Sequence, residues 1–237
     1  MTSIPARTGR AYAPGVLLLT AALALTAMYY FARPDAVGVF SPLRGWRIVT
    51  PGVRGPLLHF AASGVLLAVV PVVVARWLCG IRLRDLGLGL GSWRRGLGWL
   101  AVGLPLAVLA GWMASRQPAM QAVYPLDPSL STSLTPRAGT FLPYAACAFL
   151  YYGGWEVLFR GVLLYGLAAR FGAGNANVTQ SALATTAHFG RAFNETFAAL
   201  PGSLAFGVVA LHTRSIWYVA LIHWTVGMST EWFMLVR

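Results

Sequence analysis

Seven apolar runs, several of them long enough to cross a bilayer, follow one another along 237 residues. They are Pro14–Ala32, Pro56–Ala75, Leu97–Ala114, Gly139–Arg170, Ala176–Phe189, Phe197–Leu211 and Ile216–Val236. A helix needs about 20 apolar residues to span hydrocarbon. The pattern therefore predicts an all-α, polytopic transmembrane helical bundle of about seven spans. Composition supports this: 57 % of residues are hydrophobic and 10 % charged, where soluble domains carry about a quarter charged residues. The first run is longer than a signal-peptide core and lacks its small-residue cleavage site. Tyr29, Tyr30, Phe31 and Arg33 follow it like an interfacial belt, so it reads as an uncleaved first span with its N-terminus inside.

The formal charge of +12 comes from 18 basic residues, all of them Arg. Most lie between apolar runs, where they anchor span ends to headgroups and set orientation. No basic stretch carries a recognition motif, so nucleic acid is not an expected partner. Arg76, Arg82, Arg84, Arg94 and Arg95 face one acid, Asp85, in the densest basic loop, which the positive-inside rule places in the cytoplasm. Arg33, Arg44, Arg47 and Arg54 in the preceding loop pull the other way. The segment Leu86–Trp93 is expected to lie along the membrane surface. Cys79 and Cys147 form neither a disulfide framework nor a metal-ligand spacing.

Ser115–Arg137 is rich in Pro, Ser and Thr and reads as a loop. It divides the chain into residues 1–96 (N-terminal helices and the basic loop), 97–138 (third span and the loop) and 139–237 (the C-terminal core). Gly139–Arg170 exceeds one straight span, and Gly153–Gly154 is its expected weak point.

Ionisable side chains are costly at membrane depth and mark function there. Glu156 and Arg160 are four apart, on one helix face, where they can pair. Gln180, Ala184 and His188 share a face of the next run; His223 sits well inside the last, with Gly227 and Glu231 at the same spacing. His59 and His212 fall at span ends and read as interfacial, and Glu231 reads equally as a snorkelling helix-end acid. A carboxylate in an apolar pocket can take a proton from water, and imidazoles can hold that water or stabilise an oxyanion. One Glu with two His is also a zinc-ligand set. Glu195 lies seven residues after His188, two turns along if the helix continues, with Arg191 between them. It is expected either at the mouth of the site, sharing proton handling, or as a loop acid paired with Arg191.

At these residues the chain resembles the CPBP family of intramembrane proteases, which takes in Rce1-like CAAX-processing endopeptidases and bacteriocin-processing relatives. The family pattern is Glu-Glu-x-x-x-Arg, Phe-x-x-x-His and His-x-x-x-Asn on successive helices. Here Trp155-Glu156-Val157-Leu158-Phe159-Arg160, Ala184-Thr185-Thr186-Ala187-His188 and His223-Trp224-Thr225-Val226-Gly227 are similar to it in order and context. Trp155 replaces the first Glu, Ala184 the Phe and Gly227 the Asn. The resemblance spans about Gly139 to Trp232, and the run His188-Phe-Gly-Arg191 with Glu195 is similar to a subgroup of bacterial members.

The resemblance implies a glutamic-type intramembrane endopeptidase acting on a membrane-anchored protein or peptide, in a bacterial cytoplasmic membrane. Its catalytic set would be Glu156, His188, His223, Arg160 and Glu195. Glu156 activates water with His188, His223 stabilises the oxyanion and Arg160 orients Glu156. No cofactor is expected. A zinc peptidase using Glu156, His188 and His223 as ligands is the first alternative; the second is an inactive membrane protein such as an immunity factor, scaffold or small transporter.

Overall fold

The computed structural model describes residues 10–32, 54–126, 130 and 138–237. Arg7, Arg33, Arg44, Arg47, Asp127 and most of the Pro/Ser/Thr-rich loop after residue 126 lie outside the described residues.

Among the described residues the chain forms seven main helices: α1 (Ala13–Ala32), α2 (residues 54–77), α3 (Trp93–Ser115), α4 (residues 138–171), α5 (residues 173–186), α6 (Phe193–Thr213) and α7 (Trp217–Leu235). By length and composition five helices can cross a membrane. One of the five is the 46-residue Phe141–Thr186 unit that α4 and α5 make together. α7, which carries His223, Glu231 and three Trp, is not among them. The chain is an integral membrane helical bundle.

The long apolar stretch Gly139–Arg170 is helical throughout and does not break at Gly153–Gly154. A Cβ on Gly154 would stand 3.3 Å from the Gly64 backbone and 3.4 Å from Ser63 O, so this glycine lets α2 and α4 approach rather than letting α4 break. The break falls at Gly172, whose φ of 75° is the left-handed region that glycine enters at little cost. Between Val157 and Tyr165 the helix also widens into π geometry, which interrupts the regular ladder directly after Glu156.

Two features fix α7. Along α3, Gly96, Gly103 and Gly111 abut Tyr218, Ile222 and Ser229–Thr230 of α7; any Cβ there would strike those groups. A strap over residues 87–92 then holds the α6–α7 turn. Ser92 N–H donates to Thr213 O at 2.7 Å, Ile216 N–H to Gly87 O at 3.1 Å, the Trp217 indole to Leu88 O at 2.7 Å and the Tyr218 hydroxyl to Leu90 O at 2.8 Å. The segment expected along the membrane surface is thus pinned to helix ends by three of its carbonyls and the Ser92 N–H. The α5 helix ends at Thr186 and the chain turns through Gly190 at φ 87°, so the helix does not continue from His188 to Glu195. Glu195 begins α6 instead.

Candidate active site

Glu156 is fully buried on α4. Its Oε1 accepts from Arg160 Nη1 at 3.1 Å and contacts His223 Nδ1, across on α7, at 2.7 Å. The spacing of four that suggested the Glu156–Arg160 pair is realised inside the bundle, where the two charges offset each other. Arg160 Nη2 donates to Ser203 Oγ of α6 at 2.8 Å, and its guanidinium lies over the Phe206 ring at 5.4 Å. Ser203 leads into a buried amide network: Ser203 Oγ to Gln180 Oε1 at 3.4 Å, Gln180 Nε2 to Asn177 Oδ1 at 2.8 Å, and Asn177 Nδ2 to Leu204 O at 3.1 Å. Four helices thereby hold one carboxylate. Its second oxygen, Oε2, has no partner among the described residues, nor does Arg160 Nε.

A cavity of about 790 Å³ opens beside this network. Arg160, His188 and His223 line it, and so does Glu195; Glu156 is not among the lining residues. His188, in the turn after α5, contacts Ala184 O through Nδ1 at 2.7 Å, and the Trp155 ring meets it edge-on at 5.2 Å. His223 is packed edge-on by Tyr152 at 5.0 Å. Its side chain keeps 20 % of its exposure and lines the cavity. Trp155, standing where the resembled family has its first Glu, is buried between Phe159, Tyr151 and His188.

Glu195 lies at another part of the same cavity. The Tyr124 hydroxyl contacts Oε1 at 3.3 Å, Arg191 Nη1 stands 3.7 Å from Oε1, and Arg191 donates to the Tyr124 oxygen at 2.8 Å. Burial pushes the Tyr124 phenol well above its usual range despite Arg191, so it remains a hydroxyl and can donate to the carboxylate.

One sequence expectation changes here: Glu231 does not snorkel but is fully buried and accepts from the Tyr144 hydroxyl at 2.8 Å. His59, near the start of the Leu57–Trp77 span, is buried in α2, contacts Ala32 O through Nδ1 at 3.0 Å and lines the cavity. His212 accepts from the Trp99 indole at 2.9 Å, away from the cavity. Sequence reading missed Ser203, Asn177 and Tyr152. Ser203 carried a faint signal, a polar residue beside Pro201 and Gly202 in an apolar run. Among the described residues no group of three or more His, Cys, Asp or Glu side chains is arranged to hold a metal ion.

No curated protein and no solved structure matches the chain. Residues 133–228, which contain Glu156, Arg160, His188, Glu195 and His223, match the family described as type II CAAX prenyl endopeptidase Rce1-like. Over this segment the chain is similar to the Rce1-like intramembrane proteases, a likeness that supports a protease acting on a peptide or protein in a membrane setting.

Proposed function

We propose that the chain is a glutamic-type intramembrane endopeptidase in which Glu156 and His223 form the acid–base pair. The observation that carries this reading is their 2.7 Å contact at the wall of the cavity. An ionised carboxylate only accepts, so it fixes the proton on Nδ1 of His223 and leaves Nε2 basic. A basic imidazole held in one tautomer by a buried carboxylate is the arrangement that removes a proton from a nucleophile in hydrolases. Arg160 pairs with Glu156 at 3.1 Å and holds it against α4.

This division of labour differs from the one expected from sequence, where Glu156 touches the water and His223 the oxyanion. Its support is that both histidines line the cavity whereas Glu156 stands behind them. His223 Nε2 would then take the proton from water, and His188 would accept the water's other hydrogen and aim its lone pair. Glu195, tied to Tyr124 and Arg191, would position the turn that carries His188, with Thr196 Oγ1 donating to His188 O at 2.9 Å.

The substrate class we propose is a membrane-anchored peptide or protein, including prenylated C-terminal peptides of the kind the family description names. The cavity suits one: Ala110, Met113, Val123 and Phe206 make part of its wall apolar beside the histidines. The reaction would need no metal, because the guanidinium on Oε1 competes with a cation for Glu156. The proposed location is a bacterial cytoplasmic membrane. The test is cleavage of farnesylated CAAX peptides and unmodified transmembrane peptides by protein in lipid nanodiscs. His223→Ala and His188→Ala should insert normally and lose turnover; full activity in His223→Ala would remove the dyad.

A further inference from the structure

The partners of the two cavity histidines fix their tautomers. A carbonyl oxygen only accepts, so the 2.7 Å contact to Ala184 O makes His188 Nδ1 the protonated nitrogen. Glu156, which also accepts from Arg160, imposes the same on His223. In their neutral forms both rings offer a bare Nε2 that accepts and cannot donate. Hydrolysis, however, needs a donor at the carbonyl oxygen, where negative charge develops. Arg160 directs Nη1 to Glu156 and Nη2 to Ser203, and its remaining Nε is buried away from the open space of the cavity.

Two donors remain beside the histidines, three residues apart on α4: the Trp155 indole against His188 and the Tyr152 hydroxyl against His223. Both residues line the cavity. Tyr152 is the one beside the histidine that Glu156 holds. Its ring is buried to 8 % exposure, and no group among the described residues hydrogen-bonds its hydroxyl. That hydroxyl occupies the space where a side chain at position 227 would begin, for a Cβ on Gly227 would fall on the Tyr152 oxygen. Gly227, one turn after His223, is therefore what admits the phenol to this place.

We infer that Tyr152 is a catalytic residue, the oxyanion donor of the site. The inference rests on the endopeptidase reading and extends it. Water oxygen bonds to the carbonyl carbon while its proton passes to His223 Nε2. The C=O π pair moves to oxygen, which takes the Tyr152 O–H hydrogen bond. Collapse re-forms C=O and breaks C–N, and the proton on His223 goes to the leaving nitrogen. Tyr152 keeps its own proton throughout.

Tyr152→Phe removes only the oxygen. We expect kcat on a farnesylated CAAX peptide to fall about 100-fold with KM unchanged, the signature of an interaction made in the transition state alone. Affinity for a peptidyl difluoroketone, which hydrates to a tetrahedral diol, should fall in parallel, while affinity for an uncleavable substrate analogue should hold. Turnover within roughly twofold of wild type, with His223→Ala inactive, would overturn this role and leave the dyad standing. Equal losses of analogue and diol binding would mark a packing effect and also overturn it. Full turnover in His223→Ala, or no cleavage by the wild type, would overturn the dyad and this inference together.

Discussion

His223 Nδ1 meets Glu156 Oε1 at 2.7 Å across the α4–α7 interface, between residues 67 apart in the chain. The same oxygen takes the Arg160 guanidinium, so one atom joins the ion pair within α4 to the imidazole at the cavity wall. The account of the site depends on that shared atom.

Arg160 is the first point of test. Replacing one member of a buried ion pair strands the other, at a cost of about 3–5 kcal/mol. Arg160→Met should therefore lower the thermal unfolding temperature sharply in nanodiscs, and Arg160→Met with Glu156→Gln should recover most of the loss. A single variant as stable as wild type would mean that the pair does not hold the bundle.

Glu195→Gln separates the lip of the cavity from its chemistry. The Arg191–Glu195 pair keeps about a fifth of its side-chain exposure, and pairs of this kind contribute little. Cleavage should fall by less than about tenfold, or 1.4 kcal/mol of barrier, with the loss chiefly in KM. The control Asp85→Asn, in the basic loop, should have no effect. A fall in kcat as deep as that of His223→Ala would instead give Glu195 a direct part in proton transfer.

The α3–α7 seam makes a stability prediction with an internal control. A Cβ on Gly111 would stand 2.8 Å from Thr230 N, which is backbone and cannot swing aside, whereas one on Gly98 meets nothing within 4 Å. Gly111→Val should destabilise by about 1–3 kcal/mol through overpacking. Gly98→Ala should be neutral or slightly stabilising. Thermal unfolding of both variants decides; equal effects would contradict the placement of the seam.

What sequence could supply was set by distance along the chain. The Glu156–Arg160 pair was legible because a spacing of four is a helix neighbour, and the apolar runs marked the helices because length and hydropathy are local. The Glu156–His223 contact was not, since nothing in either helix specifies which face of α7 turns toward α4. The seam of Gly96, Gly103 and Gly111 determines it, together with the strap at 87–92. The break was misplaced for a similar reason. Gly153–Gly154 and Gly172 look alike in sequence, and only the neighbouring α2 shows that Gly154 serves close packing. Tyr152 was invisible as a donor because its significance lies in what Gly227 lacks.

Metal dependence follows from the occupancy of Glu156 Oε1. Incubation with a strong chelator should leave cleavage unchanged, and elemental analysis of active protein should find no stoichiometric zinc. One zinc per chain, lost together with activity and restored with it, would replace the proposed dyad with a metal-bound water.

The most direct measurement is cleavage of a farnesylated CAAX peptide by Glu156→Gln beside wild type, in nanodiscs and at matched folded protein. Gln keeps the shape of Glu, but its amide cannot hold the proton on His223 Nδ1 as a carboxylate does, and the wrong tautomer leaves Nε2 protonated. The expected result is a fall in kcat of about 10⁴-fold per folded molecule, as for loss of the carboxylate in a hydrolase triad, alongside a lowered unfolding temperature because Gln leaves the buried Arg160 charge unpaired. Turnover within about tenfold of wild type would contradict the central assignment.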